Sequence, residues 1–206
     1  MIGKLNEKSA VMGHSTGGLL AQLIADRGLS AVTVAIDPGP FRGVLPLPLL
    51  ALKSTAPVLS NPLNRDRAVT LTFDQFKYGW TNALGEDESR QLYDTYHVAA
   101  PGVAMMQMAN ANVNPFTEAK LDPKNPDRGP LLILEGEKDH TVPWAIANAS
   151  YKRQQRNPAV TEIKKIPNRG HSLTIDSGWR EVAETALEFV KRFAPSGQPA
   201  EAARTI

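Results

Sequence analysis

The feature that most constrains the fold is a short glycine-framed motif, Gly13–Gly18, which reads GHSTGG. The apolar run Ser9–Gly13 before it is typical of a buried strand, and Gly17–Asp26 after it has the apolar spacing of a helix. A serine in a Gly-x-Ser-x-Gly turn between a strand and a helix is typical of a nucleophile held on a sharp, strained bend. Side chains at positions 13 and 17 are expected to collide with neighbouring backbone. The motif therefore predicts Ser15 as a nucleophile.

The start of the following helix is expected to stabilise negative charge near Ser15. Backbone N–H groups in the first turn lack intrahelical acceptors, and the helix dipole adds partial positive charge there. We expect the Thr16 N–H to be one donor to an oxyanion that forms on a substrate carbonyl.

Strand and helix patterns alternate at both ends of the chain. Ala31–Ile36 and Leu131–Leu134 are apolar runs of the kind found in strands covered on both faces, and Val160–Ile166 alternates like a strand nearer the edge. Helices are predicted at Trp144–Arg156 and at Ser177–Phe193, the latter with Ser177 as N-cap and an apolar stripe at Trp179, Val182, Ala183, Ala186, Leu187 and Val190. This order predicts an α/β fold with a mostly parallel sheet covered by helices.

The middle of the chain has a different character. From Phe41 to Gly129 prolines recur and strand patterns are weak, so we expect loops and short helices, with helices at Asp74–Leu84, Glu86–Tyr96 and Val103–Asn110. The predicted organisation is an α/β core of residues 1–40 and 130–194, a helical insertion at 41–129 and a flexible tail at 195–206.

A serine hydroxyl needs a base, and the chain has four histidines. His14 lies inside the motif and is interpreted as structural, pointing away from the chemistry. His97 lies in the insertion, and His140 is interpreted as a loop neighbour of Asp139. His171 follows the last predicted strand, and loops after parallel strands gather at one edge of the sheet, so His171 is the predicted base.

The acid that orients the base should follow a strand at the same edge. Asp139 does so, and the order Ser, Asp, His along the chain then matches that of a Ser–His–Asp triad on an α/β fold. Two alternatives stay open: Asp37 also follows a strand, and Asp176 lies close to His171 in sequence. Glu135 and Glu137 are interpreted as residues that support the loop.

Composition excludes several classes of protein. Lys and Arg number 23 against 21 Asp and Glu, and they are scattered, so no basic surface for nucleic acid is expected. No apolar run is long enough for a membrane span, and no secretory signal is visible, so we expect a cytoplasmic location. The chain has no cysteine, which excludes disulfides and a thiol nucleophile. No metal or cofactor is expected.

Three segments together resemble the α/β-hydrolase superfamily, in the broad group of bacterial esterases, lipases and cofactor-free peroxidase-like members. They are GHSTGG at Ser15, LLILEGEKDHTVP around Asp139 and NRGHSLT around His171. The resemblance implies the α/β-hydrolase fold, with residues 41–129 as a cap over the active site.

The resemblance also exposes a departure at the N-terminus. Family members have several strands before the nucleophile and a loop that supplies a second oxyanion donor, whereas here the motif begins at residue 13. The chain therefore resembles an N-terminally truncated member. Weak esterase activity, and a homodimer through an open sheet edge, are the expected consequences.

The function predicted from these residues is cleavage of carboxylic esters through an acyl-enzyme on Ser15. Met105, Met106 and Phe116 are predicted to contact the acyl group of a small-molecule ester. The alternative that the methionines face the core of a helix in the insertion stays open. Acyl transfer or perhydrolysis would use the same triad and remains an alternative. From a different class, a catalytically weak fragment could act as an interaction module.

Overall fold

The computed structural model describes Ile2 and residues 5–193. These residues contain six strands: Ser9–His14 (β1), Ser30–Ile36 (β2), Ala68–Val69 (β3), Ala100–Pro101 (β4), Leu131–Gly136 (β5) and Thr161–Ile166 (β6). They also contain the helices Thr16–Asp26 (α1), Leu49–Leu59 (α2), Phe73–Gly79 (α3), Glu86–Tyr96 (α4), Gly102–Ala109 (α5), Trp144–Gln154 (α6) and Trp179–Phe193 (α7). The tail expected at 195–206 lies outside the described residues.

The main sheet has the strand order β1-β2-β5-β6, and every pairing in it is parallel. Side chains of β2 alternate between two apolar clusters, which explains why its sequence is apolar on both faces. Val32, Val34 and Ile36 pack with α7, whereas Ala35 packs on the other face with Ala147 of α6. Helices α1 and α6 cover that second face. The parallel sheet covered by helices that the sequence predicts is therefore confirmed.

Helix α7 differs in detail from its predicted form. It begins at Trp179, so Ser177 lies two residues before the helix, where its N–H donates to Glu88 Oε1 at 2.7 Å. Its buried stripe is Val182, Ala186 and Phe189. The predicted stripe members Trp179, Ala183 and Leu187 are exposed instead. The predicted members Val182, Ala186 and Val190 do pack in the apolar cluster under the sheet, where the unpredicted Phe189 joins them.

The segment from 41 to 129 contains the four helices α2–α5, joined by long loops, and one feature that the sequence pattern did not reveal. Strands β3 and β4 pair antiparallel over two residues each, which is too short for a periodic signal. Helix α2 includes Pro57 near its end, and α3 ends at Gly79, five residues before the predicted boundary.

The two ends of the main sheet are β1 and β6. Within the described residues no helix is both long and apolar enough to cross a bilayer. All four strands of the main sheet run in the same direction, so the loops that follow β1, β2, β5 and β6 meet at one edge of it.

Candidate active site

Ser15 occupies a strained backbone position between β1 and α1. Its φ of 55° and ψ of −119° lie in a region that non-glycine residues rarely adopt. The Ser15 N–H donates to the carbonyl of Ile36 at 2.9 Å, and the Gly39 N–H donates to the carbonyl of Ser15 at 3.0 Å. These two bonds fasten the turn to the end of β2. The side chain is left partly exposed.

The glycines around Ser15 are needed for reasons that differ by position. A Cβ on Gly13 would overlap the carbonyl of Gly17, and one on Gly18 would lie 2.9 Å from Pro38 Cα. A Cβ on Gly17 would meet nothing within 4 Å. The expectation that a side chain at position 17 would collide was therefore wrong, because the close approach of α1 to the chain after β2 occurs one residue later.

The structure brings Ser15, His171 and Asp139 into one hydrogen-bonded line. His171 Nε2 lies 3.0 Å from Ser15 Oγ, and His171 Nδ1 lies 2.6 Å from Asp139 Oδ2. His171 and Asp139 are buried, with exposed fractions of 0% and 2%. With a hydrogen on Nδ1 donated to the carboxylate, Nε2 has a free lone pair to accept the serine proton.

The loop that carries His171 is fastened to the loop that carries Asp139. The Lys138 N–H donates to the carbonyl of Arg169 at 2.8 Å, and the Asn168 N–H donates to Glu137 Oε2 at 2.9 Å. Glu137 thus holds the histidine loop. Gly170 lies in a tight position, because a Cβ there would lie 2.7 Å from Asn82 Oδ1 and 3.2 Å from the carbonyl oxygen of Trp80.

Backbone groups prepare Asp139 to be ionised. Its Oδ1 accepts N–H groups from Thr141 at 2.6 Å and Val142 at 2.9 Å. Burial opposes the charge, but the charge of and hydrogen bond from His171, together with these two N–H groups, hold the pKa of Asp139 below its ordinary value.

Asp37, the alternative acid, follows β2 at the same edge and has a left-handed φ of 39°. Its Oδ1 accepts the Gly136 N–H at 2.8 Å, while its Oδ2 lies 3.9 Å from His171 Nδ1, beyond hydrogen-bond distance. Burial first, and then the Asp139 carboxylate, raise its pKa well above the ordinary value. Asp139 is therefore the carboxylate bonded to the histidine.

The second alternative acid, Asp176, is engaged elsewhere. It forms an ion pair with Arg169, and its Oδ2 accepts the hydroxyl of Ser172 at 3.0 Å. His140 is a loop neighbour, as expected, with Nδ1 3.0 Å from the carbonyl of Tyr78. His97 stacks on Tyr93, with ring centroids 4.2 Å apart.

His14 contacts the catalytic candidate directly, which corrects the expectation that it points away. Its ring centroid lies 4.7 Å from that of His171, and its Nε2–H donates to the His171 carbonyl at 2.8 Å. Burial, and then the nearby His171, lower the pKa of His14 to about 3, so His14 is neutral at physiological pH. Trp80 packs edge-on against His171, with ring centroids 4.9 Å apart. Nothing in the sequence signalled the role of Trp80, because it lies in the insertion, far from the three motifs.

Glu135 lies buried on β5. Within the described residues its carboxyl group makes no hydrogen bond, so it does not support the loop around Asp139 as the sequence had suggested. Its exposed fraction is 0%, and neither carboxyl oxygen has a hydrogen-bond partner there. Burial, and then the Asp139 carboxylate, raise its pKa to about 8.

A cavity of about 780 Å³ lies against α1. Thr16, the first residue of α1, lines it, and the Thr16 side-chain hydroxyl lies 3.9 Å from Met108 Sδ. Met106 and Phe116 also line the cavity, whereas Met105 is not among its lining residues. Apolar side chains dominate the walls, contributed by α1 and by the chain from 103 to 119: Leu19, Leu20, Leu23, Val103, Met106, Met108, Val113, Phe116 and Ala119.

One group of potential metal ligands coincides with this site. His14, Asp37 and His171 place ligand atoms within 4.8 Å of one another. The nitrogens nearest to Asp37 are already engaged, since His171 Nδ1 bonds to Asp139 and His14 Nε2 bonds to a carbonyl. The arrangement supports proton transfer along a histidine better than it supports metal binding.

The sequence and the fold are both similar to those of known proteins. A sequence model described as the alpha/beta hydrolase family matches residues 2–185. Among solved structures, the monoacylglycerol lipase of Paleococcus ferrophilus is 18% identical with a TM-score of 0.56, over 93% of this chain and 70% of that one. A thermophilic esterase is 19% identical with a TM-score of 0.52, over 91% of this chain and 67% of that one.

A bromoperoxidase from Bacillus anthracis is 20% identical with a TM-score of 0.58, over 92% of this chain and 70% of that one. At such identities the likenesses establish the fold alone. No curated protein matches the sequence.

Proposed function

The chain belongs to the alpha/beta hydrolase family, and we propose that it is a serine hydrolase that cleaves carboxylic esters. The observation that carries the proposal is the continuous line from Ser15 Oγ through His171 to Asp139, with distances of 3.0 Å and 2.6 Å. Each contact has the length that proton transfer and orientation of the base require.

The proposed reaction proceeds in two halves. His171 Nε2 takes the Ser15 proton as Oγ attacks the ester carbonyl, and the imidazolium then gives that proton to the departing alcohol, which leaves an acyl-enzyme. In the second half His171 takes a proton from water, the hydroxide attacks the acyl carbonyl, and the proton returns to Ser15 Oγ as the acid leaves. Asp139 holds the Nδ1–H and stabilises the imidazolium in both halves. Thr16 N–H, at the start of α1, is the proposed donor to the oxyanion.

The cavity beside α1 is the proposed site for the acyl group. Its volume of about 780 Å³ falls in the range of small-molecule sites, and its walls are mainly apolar. Thr16 belongs both to the turn around Ser15 and to the cavity, and from Thr16 to Leu23 the helix advances about 10 Å. We therefore propose esters whose acyl chains are longer than acetate, with Met106 and Phe116 in contact with the chain.

Residues 41–129 are the proposed cap. Contacts from this segment reach all parts of the site: Met108 contacts Thr16, Trp80 packs on His171, and the Gly79 carbonyl accepts the Thr141 hydroxyl at 2.7 Å. A segment that touches the nucleophile turn, the base and the acid loop is well placed to exclude water and to select substrates.

The nucleophile is tested with a fluorophosphonate probe and p-nitrophenyl acetate. Ser15→Ala is expected to abolish labelling and turnover while leaving the far-UV circular dichroism unchanged, whereas the control Ser60→Ala, at an exposed position outside the site, should keep both. Labelling that persists in Ser15→Ala protein contradicts the assignment. Adding an alcohol or hydrogen peroxide to the assay measures acyl transfer or perhydrolysis from the same acyl-enzyme.

The acyl site is tested by chain-length preference across p-nitrophenyl acetate, butyrate and octanoate. Met106→Ala and Phe116→Ala should change the octanoate-to-acetate ratio of kcat/KM by more than they change acetate turnover. Met105→Ala is the matched control, because Met105 lies on the same helix but does not line the cavity. Equal effects of Met105→Ala and Met106→Ala would mean that these residues support the fold instead.

A homodimer through the edge of β1 is a further part of the proposal. Strand β1 pairs with β2 on one side, the described residues provide no strand on its other side, and Met12 of β1 is 55% exposed. An open edge of this kind pairs readily with a second copy. Size-exclusion chromatography with light scattering should give the mass of a dimer that Met12→Lys weakens; a monomer at all concentrations would rule this pairing out.

A further inference from the structure

We infer that Asp37 is a second, reserve acid of the site, which takes over His171 Nδ1 when Asp139 cannot accept it. This inference rests on the proposed function. The sheet brings two carboxyl groups, those of Asp37 and Asp139, close to His171. The loops after the adjacent strands β2 and β5 deliver one carboxyl group each.

The geometry places Asp37 within a short movement of the base. Its Oδ2 lies 3.9 Å from His171 Nδ1 and 3.8 Å from His14 Nε2. The side chain is fully buried, and Oδ2 has no hydrogen-bond partner within the described residues. An orphaned, buried carboxyl oxygen aimed at the base is costly unless it carries a proton or finds a donor.

The hydrogen bonds decide which of the two carboxyl groups is ionised. Asp139 accepts three donors: the N–H groups of Thr141 and Val142 and the Nδ1–H of His171. Asp37 accepts one, the N–H of Gly136. Two adjacent buried carboxylates cannot both be charged at low cost, so the proton resides on Asp37.

Burial first, and then the neighbouring Asp139 carboxylate, hold the pKa of Asp37 well above its ordinary value, which favours the protonated form of Asp37. A neutral Asp37 leaves the Asp139 carboxylate as the charged partner of His171. The other titratable groups that face this pair are Glu135, His14, His171 and Arg169, and the guanidinium of Arg169 is bonded to Asp176.

Removal of Asp139 reverses these roles. In Asp139→Asn the repulsion disappears, Asp37 releases its proton to solvent, and its Oδ2 becomes an acceptor for His171 Nδ1–H after moving about 1 Å closer, to an ordinary hydrogen-bond length. Asp139 is therefore expected to be less essential here than in a triad with a single acid, where the same substitution costs about 10⁴-fold in kcat.

The test compares kcat and its pH dependence in wild type, Asp37→Asn, Asp139→Asn and the double variant. Asp37→Asn should stay within about 3-fold of wild type, because Asp139 still accepts the His171 Nδ1–H and the amide oxygen can still accept the Gly136 N–H. Asp139→Asn should lose about 10²-fold, and the double variant about 10⁴-fold. Activity of Asp139→Asn should also rise with pH through the pKa of Asp37, a limb that the double variant lacks.

A second readout separates this inference from the proposed function. The low-field proton NMR signal of His171 Nδ1–H should persist in Asp139→Asn and disappear in the double variant, whether or not the protein hydrolyses esters. Equal activity and equal NMR spectra of Asp139→Asn and the double variant would overturn the inference. So would a loss in Asp37→Asn as large as in Asp139→Asn. Asp139→Ala, which removes the same charge, serves if Asp139→Asn does not fold.

Discussion

Replacement of Glu135 by glutamine should make the protein more stable at alkaline pH and leave it unchanged in acid. The Glu135 carboxyl group is fully buried on β5, and no donor within the described residues compensates a charge on it. Burial, and then the carboxylates of Asp139 and Glu137, opposed by Lys165, raise its pKa from 4.5 to about 8. Wild-type protein must therefore bury a poorly compensated charge whenever the pH is high enough to ionise this group.

The sign of the effect follows from proton binding. Between pH 4.5 and about 8 the unfolded chain has lost the Glu135 proton while the folded chain retains it. Stability therefore falls as pH rises through this window, by at most about 1.4 kcal/mol per pH unit. The full gap would correspond to about 5 kcal/mol, and screening by solvent and by Lys165 reduces it to about 2 kcal/mol.

Urea unfolding at pH 5, 7 and 8.5, followed by far-UV circular dichroism, measures this difference. Glu135→Gln should match wild type within about 0.5 kcal/mol at pH 5 and exceed it by about 2 kcal/mol at pH 8.5. Glu184→Gln is the matched control, because Glu184 is exposed on α7 and the same substitution there should leave the pH dependence unchanged. If Glu135→Gln and wild type lose stability in parallel as pH rises, Glu135 is not the buried acid described here.

Two further predictions concern the turn and its neighbour. Gly18→Ala should destabilise the fold by about 1–3 kcal/mol, because the new Cβ would lie 2.9 Å from Pro38 Cα, whereas Gly17→Ala should be neutral or slightly stabilising; thermal melts compare the two, and equal losses would contradict the packing argument. His14→Phe should lower kcat by about 5-fold, since it removes the donor to the His171 carbonyl. In wild type, burial lowers the pKa of His14 to about 3, so between pH 6.5 and 3 the unfolded chain binds a proton that the folded chain does not, and stability falls. The His14→Phe variant lacks this group and should lose less stability over the same range. A drop in Tm on acidification equal to that of wild type would contradict this account.

The sequence predicted the core of the fold because its strands are apolar on both faces and its helices have regular apolar spacing. Helix α4 was predicted with its observed bounds, Glu86–Tyr96. Prediction failed where tertiary contacts override local pattern. Ser177 has the chemistry of an N-cap, yet its N–H bonds to Glu88 of another helix, and α7 begins two residues later. Strands β3 and β4 are two residues long and pair with each other, so neither is long enough to show a strand pattern in the sequence.

The proximity of the candidate residues was predictable where it depends on chain order and unpredictable where it depends on packing. Ser15 and His171 follow strands and have the residue chemistry of a nucleophile and a base, so their proximity follows from a parallel sheet. His14, inside the motif, was predicted to point away from the site, whereas its ring lies 4.7 Å from that of His171, centroid to centroid. Trp80 reaches His171 from the insertion, and no local pattern encodes that contact.

The ambiguity between Asp37 and Asp139 has a physical origin in the sheet. Strands β2 and β5 are neighbours and both end at the edge where His171 lies, so chain order allows either carboxyl group to reach the base. Two features distinguish them. The Oδ2 atom lies 2.6 Å from His171 Nδ1 in Asp139 and 3.9 Å away in Asp37. The two loops also offer different numbers of N–H donors to the carboxyl groups. The turn at 139–142 supplies two such donors, whereas the residues after β2 leave Asp37 with the N–H of Gly136. Such differences arise only after the loops have folded. Sequence spacing can therefore predict at which edge of the sheet the acid lies, but not which of the two aspartates bonds to His171.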